Sequence, residues 1–510
     1  VSGVRVFFAA TVAVAREIDV LLERDIPRRR RASLTLELLR LALPLIAVTT
    51  SRMLMGFIDV TMVSRLGTEA LAAILPAALM MWAFICLGAG TGTSVQTFAS
   101  QADGRGEPQR GAAYAWQTVY LGIAFMPLAY AGSKLAPALY DWLGFIAHSP
   151  APVRALEIAY TQIAVWSMVP ATIAAGFEGF FNGVQRPRVT LAAVLASLAA
   201  NAIGNYVLIF GPELTVPYVG WHIHFPALGI AGAALATVIA WSVRVVVLLA
   251  VFCSAPYDRR YSTRRAFAPS WHKWLDILHV GGPTAVAWEI DISSWVVFLN
   301  VIVPSFGTKS LAATNIALQY THLAFMPAIG VGMALCSQVG FAIGAGRPDE
   351  AVRRTHVALG LTMAYMGSIG LLLFGLRAPL MWWFTSDTGV AAIGVSIMGW
   401  VAAYQVFDAM SITFISSLRG AGDTRTPAVL SGLCCWGIFI GGGYLVAHAR
   451  PHWGVHGPWL MAVVYLTVLG LALLWRYRSG GWRKIRLLEE PGVAGPAVAA
   501  VPLGTGGGET

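Results

Sequence analysis

Seven ionisable side chains sit inside stretches too apolar to carry charge without a reason: Arg52, Asp59, Glu178, Arg244, Glu289, Asp291 and Asp408. An ionised residue at the centre of a hydrocarbon layer costs about 2.5 to 3.5 kcal/mol on insertion scales, so such residues point to ion or substrate pathways. Asp408 has Tyr404 one turn before it, which lets a phenol and a carboxylate face one point. An acid held there without a permanent counter-ion can exchange a proton or be kept ionised by Na+, and either event changes the local charge by one unit. Glu289 and Asp291 are two residues apart, about 200 degrees around a helix. Only one of them can share a site with Asp408 and Tyr404 unless the helix is distorted; the other would meet substrate or a neighbouring helix. Asn201 and Asn205, four apart, stack two amides on one face and serve either a polar cluster or helix-to-helix hydrogen bonding. Asp59 reads as an acid within the first apolar run, or as one near a helix end that reaches water. Arg52 lies seven residues earlier on nearly the same face, where it could pair with Asp59, repel substrate or serve structure. Glu178 and Arg244 fit solvated or paired structural roles.

Positioning these groups requires a frame that crosses a bilayer. Of 510 residues 57% are hydrophobic and only 12% charged, about half the charge of a soluble domain. The apolar runs last 20 residues or more without alternation, so they read as helices rather than barrel strands. Helices are expected near 38–65, 71–100, 113–136, 155–182, 189–210 and 228–253, then near 275–303, 311–343, 355–378, 390–418, 427–447 and 457–476. The net charge of +10 follows topology rather than nucleic-acid binding. Alternate connections hold most of the basic residues, among them Arg105, Arg186, Arg259, Arg347, Arg419 and Arg483, whereas the others hold a few such as Arg65 and Arg450. With an even helix count that bias puts both termini in the cytoplasm. Cys86, Cys253, Cys336, Cys434 and Cys435 lie in or at the ends of apolar runs without metal-ligand spacing, and read as small core residues. Residues 1–33 open on Val and end in Arg28 to Arg31; they read as the product of an upstream start or as a basic, amphipathic extension, without a signal-peptide cleavage pattern. Residues 479–510 read as a basic tail that becomes disordered from 491.

Sliding the chain against itself by 240 residues superposes the second span on the eighth without a gap. Gly67, Thr68 and Leu71 fall on Gly307, Thr308 and Leu311; Gly90, Gly104 and Gly106 fall on Gly330, Gly344 and Gly346. The expected fold is therefore all-α and integral to the membrane, with twelve spans in two six-helix lobes (34–253 and 275–478) joined by a basic linker, 254–274. Repeats of this parallel kind typically enclose a central site at their interface.

Leu43-Pro44, the run Gly56-Phe57-Ile58-Asp59-Val60-Thr61-Met62-Val63 and Arg419-Gly420-Ala421-Gly422-Asp423-Thr424-Arg425 resemble the multidrug and toxic compound extrusion (MATE) family, in its NorM-like multidrug branch. The resemblance spans roughly residues 34–478. It implies export of small cationic or amphipathic organic molecules by antiport with Na+ or H+, in a bacterial cytoplasmic (inner) membrane, with no further cofactor. It also implies that Asp59, Asn201 and Asn205 form the N-lobe polar cluster. Asp291, eight residues after Pro283, matches the family's seventh-span acid, although Asp stands where Glu is usual and Glu289 is added. Cation or proton coupling is thus expected at Asp408, Asp291, Tyr404, Glu289 and Asp59, with a possible Na+ at Asp408, Asp291 and Tyr404. Substrate contact is expected at Asp59, Asp291 and Glu289.

Two transport alternatives share this architecture: a flippase for a lipid-linked saccharide, which should favour a basic cavity for pyrophosphate, and another twelve-helix secondary transporter. An enzyme is disfavoured, because the loops are short and no phosphate-cradling Gly motif or paired metal-spaced His is present. Expected partners are the organic substrates and membrane lipid, with no nucleic acid; the sequence gives no basis for an oligomer.

Overall fold

The computed structural model describes residues 28–147, 150–216, 221–224 and 226–488; the expectations for residues 1–27 and 491–510 lie outside them. Among the described residues each apolar run is a helix long enough to cross a membrane. These are α1 (Ser33–Leu66), α2 (Thr68–Gly104), α3 (Pro108–Trp142), α4 (Ala151–Gly183), α5 (Pro187–Phe210) and α6 (Ile230–Phe252). The second set is α7 (Trp271–Phe306), α8 (Thr308–Gly344), α9 (Pro348–Gly375), α10 (Thr388–Ala421), α11 (Arg425–Ala449) and α12 (His456–Arg478). Prolines at 108, 187 and 348 start three of them, where the missing N–H has no intrahelical partner to lose. One feature beyond helices is a short antiparallel ribbon between α5 and α6, β1 (Glu213–Val216) with β2 (Trp221–His224).

The internal repeat recurs as geometry. Gly67 and Gly307 break the chain before α2 and α8 at φ of 117° and 92°, and Gly106 and Gly346 end the same two helices' turns at 78° and 71°. These are backbone conformations that a side chain disfavours, so the matched glycines hold matched turns.

Two large apolar cores result, and they are not divided at the linker. The inner half of α1 (Leu34, Leu38, Ala42 and Leu45) is buried in the core built mainly by α8 to α12. Reciprocally, Ile277 and Val280 at the start of α7 are buried in the core of α2 to α6. Each set of six helices thus lends the first half of its first helix to the other. The linker includes a short helix, Ala255–Tyr261, whose Tyr261 stacks edge-on against Phe180 at 5.3 Å. It is fastened to α3 by Trp116 Nε1 donating to the Thr263 carbonyl at 2.7 Å and by Gln117 Nε2 donating to the Ala268 carbonyl at 2.9 Å.

The seam between the two halves closes at the end that carries the basic loops. There α2 and α8 cross backbone to backbone: a Cβ on Gly104 would lie 2.2 Å from the Phe341 carbonyl oxygen, and one on Gly344 would lie 2.1 Å from that of Gln101. Gln96 Nε2 donates across the seam to the Met333 carbonyl at 2.7 Å and to Ser337 Oγ at 2.8 Å. Thr97 and Gln101 reach the carbonyls of Arg419 and Gly420 at 2.9 and 3.1 Å. Every one of these donors is buried, so each would cost free energy unpaired.

Candidate ion and substrate site

The acids expected from sequence fall into two clusters, one in each half. In the first, Asn205 Nδ2 on α5 donates to Asp59 Oδ1 on α1 at 2.6 Å and lies 3.3 Å from Asn201 Oδ1. The four-residue spacing of the two asparagines brings both amides to one carboxylate. Both are fully buried, and Asn201 Nδ2 and Asn205 Oδ1 lack protein partners. Tyr160 on α4 lies within electrostatic reach of Asp59 and directs its hydroxyl at Met81 Sδ, 3.8 Å away. Asp59 is therefore held by the asparagine amides of α5 rather than left as a helix-end residue in bulk water.

In the second cluster Asp408 and Tyr404 share a face of α10, and Tyr404 meets Thr321 of α8 at 3.3 Å, hydroxyl to hydroxyl. Asp291 of α7 is close enough to Asp408 for the two carboxylates to repel when both are charged. Asp291 is exposed, and its field reaches the buried Tyr465 and Cys435 of this half. Glu289 and Asp291 both act on Cys86 of α2, and the half-buried carboxylate of Glu289 keeps one buried oxygen unpaired. α7 is regular from Trp271 to Val297 and becomes a π-helix only at Phe298–Ile302, so the wide angle between the two acids persists. Asp291 lies within electrostatic reach of Asp408, and no such reach to Asp408 accompanies Glu289.

Tyr465 on α12 lies within reach of Asp291, Asp408 and Tyr404 together and is 4% exposed. It was not singled out from sequence, where a mid-span tyrosine looks like any packed aromatic; its only signal was a hydroxyl far from either end of a helix. Gln405, fully buried next to Tyr404 with neither amide atom paired, was missed likewise.

Arg52 does not pair with Asp59. Its guanidinium is 2.5 Å from Glu178 Oε2, and Arg244 approaches the other oxygen at 3.5 Å. Arg244 is 1% exposed, bonds Ser197 Oγ through Nε and Nη2, at 3.1 and 2.8 Å, and lies 4.2 Å over the Trp241 ring. The paired structural role expected for Glu178 and Arg244 is what the contacts display. Among the cysteines, Cys253 is partly buried and the other four are buried, all with free thiols.

A two-half bundle of twelve membrane helices, with one acid cluster in each half, defines an integral membrane protein of the transporter type. The MatE family model matches residues 44–207 and 289–445, and the chain belongs to that family. It is 30% identical over 467 residues to the probable multidrug resistance protein NorM of Rhizobium meliloti, covering 88% of this chain and 93% of that protein. The NorM of Idiomarina loihiensis is 25% identical, covering 87% and 93%. In fold the chain resembles the Vibrio cholerae MATE transporter VcmN in its bent form (TM-score 0.75, 20% identity, 89% and 98% covered). It also resembles a multidrug resistance MATE family transporter in an outward-facing conformation (TM-score 0.74, 20% identity, 89% and 97% covered).

Proposed function

We propose that this protein exports small cationic or amphipathic organic compounds across the bacterial cytoplasmic membrane, both termini inside, by antiport with Na+ or H+. The observation that carries the reading is the grouping of Asp291, Asp408, Tyr404 and Tyr465 within electrostatic reach of one another. Two acids this close cannot both stay charged cheaply, so a proton or a metal cation is needed to neutralise one. Entry of that cation removes the negative charge that holds a cationic substrate. If the state closed on the basic side, described above, binds the coupling ion more tightly than the opposite state, ion binding shifts the population between them by that difference. One charge moving through 100 mV supplies about 2.3 kcal/mol, enough for roughly a fiftyfold substrate gradient. Asp59 with Asn201 and Asn205 would be a second uptake point for cation, and Glu289 would meet substrate.

The test is efflux of a fluorescent organic cation from proteoliposomes, with a Na+ gradient and a pH gradient imposed separately. One gradient should drive accumulation against concentration, and Asp408→Asn should abolish that drive while the protein remains inserted and folded. Transport driven by neither gradient would remove the antiport reading; full coupling in Asp408→Asn would remove only the role given to that residue.

A further inference from the structure

On the basic side, away from both acid clusters, a cavity of about 450 Å3 opens between α9, α10, α12 and the chain that follows α12. Its wall is aromatic and preformed. Phe414 packs on Tyr477 at 5.2 Å, and Tyr477 stacks on Trp482 at 5.2 Å with the rings 15° from parallel. Trp482 Nε1 donates to the Tyr477 carbonyl at 2.8 Å, a fold-back that Gly480 permits at φ of 70°. Trp482 is consequently 1% exposed, so the segment after α12 is part of the protein's body and not a loose end.

The charge at the cavity is of one sign. Arg478 and Arg483 line it, with His356 on the facing wall, and among the described residues no acidic side chain does. Arg483 lies 5.5 Å over the Trp482 ring and 3.4 Å from Asp349, whose side chain is 82% exposed; a pair so open to water contributes little and exchanges readily for another anion. Arg478 ends α12 and is exposed.

The surface leading into the cavity identifies the source of that anion. Leu471, Trp475 and Arg478 follow one another at helical spacing on a single face of α12, and Leu471 and Trp475 are 43% and 70% exposed. A ladder of Leu, then Trp, then Arg at the end of a membrane helix places apolar contact at acyl depth, an indole at the interface and a cation at headgroup level. A free phosphate would have no use for the first two.

We propose that this cavity binds the phosphate-bearing headgroup of an anionic phospholipid from the leaflet on the basic side, with its acyl chains along Trp475 and Leu471. The phosphate sits between Arg478 and Arg483, displacing Asp349.

Native mass spectrometry of the full chain in detergent, titrated with phosphatidylglycerol, phosphatidylcholine or inorganic phosphate, tests this. Phosphatidylglycerol should give a saturable adduct at least tenfold tighter than phosphatidylcholine, and a large excess of inorganic phosphate should not displace it. R478Q should weaken that adduct about tenfold and R478Q/R483Q further, while R259Q/R260Q, which removes the same charge from the linker, should leave it unchanged. Both arginines are exposed, so the variants should keep the wild-type melting temperature. Equal retention in R478Q/R483Q and R259Q/R260Q would overturn the site. Displacement by inorganic phosphate, or equal retention of phosphatidylcholine, would overturn the assignment to an anionic lipid.

Discussion

The close crossing of α2 and α8 makes an unusually specific demand. Gly104→Ala would bring a methyl to 2.2 Å from the Phe341 carbonyl oxygen, and Gly344→Ala would bring one to 2.1 Å from that of Gln101. Each distance is about 1 Å inside ordinary contact, and the obstructing atoms are backbone, so no rotamer change relieves the clash. The two helices must part. Overpacking of this kind costs about 1 to 3 kcal/mol, and the cost falls only on the conformation in which the basic-side seam is shut. An equilibrium between shut and open seams should then move toward open by about 5- to 150-fold. The reporter is a cysteine at Ser337, which is 1% exposed in the seam, in a protein otherwise free of cysteine, labelled with a water-soluble maleimide. Labelling should accelerate by that factor in both glycine variants. Gly282→Ala is the control, because a Cβ there meets nothing within 4 Å; it should label at the background rate. If Gly104→Ala and Gly344→Ala melt like the parent and label no faster, the seam is not what separates the two states.

Removing Glu178 leaves Arg52 and Arg244 facing each other without a counter-charge, so Glu178→Gln should destabilise the protein by about 3 to 5 kcal/mol in a detergent melt. Glu178→Gln with Arg244→Met should recover part of that loss, and equal melting of the single and double variants would contradict the pairing. Asp387 caps α10: the N–H of Val390, the Lys309 ammonium and the N–H of Gly389 hold its carboxyl below the usual aspartate range. A depressed carboxyl contributes stability above its unfolded pKa and loses it as pH falls through the folded one, so Asp387→Ala should melt below the parent at neutral pH, with the gap closing only in acid beneath the ordinary aspartate range.

Much of this architecture was legible because the bilayer imposes a long period on the sequence. The twelve helices and the glycines of the repeat needed only run lengths and a self-comparison. That Glu289 and Asp291 lie on different sides of α7 followed from helical angle alone, because the helix is regular there. Partner choice was another matter. Arg52 and Asp59 share a face of α1, but Arg52 joins Glu178, 126 residues away, because α4 passes closer to it than two turns of its own helix do. Tyr465 was invisible for the same reason, being defined by three residues on two other helices. The exchange of inner halves between α1 and α7 leaves no mark in hydropathy, since both cores are equally apolar.

The duplication preserved the seam and let the chemistry diverge, and the two facts have one cause. At the 240-residue offset that superposes Gly90, Gly104 and Gly106 on Gly330, Gly344 and Gly346, Asp59 falls on Leu299 and Asp291 on Ser51. A crossing of two symmetry-related helices is held apart by a side chain on either one, so both copies must keep glycine. Charge obeys no such constraint. Two identical acid clusters facing one space would titrate together, and filling both with cations would leave no negative charge to hold a positively charged substrate. With unlike clusters, Asp59 held by asparagine amides and Asp291 and Asp408 set against each other and two tyrosines, the same change in ion concentration acts on the halves unequally. Under the proposed exchange, that inequality lets one half take up an ion while the other still carries the charge that binds substrate.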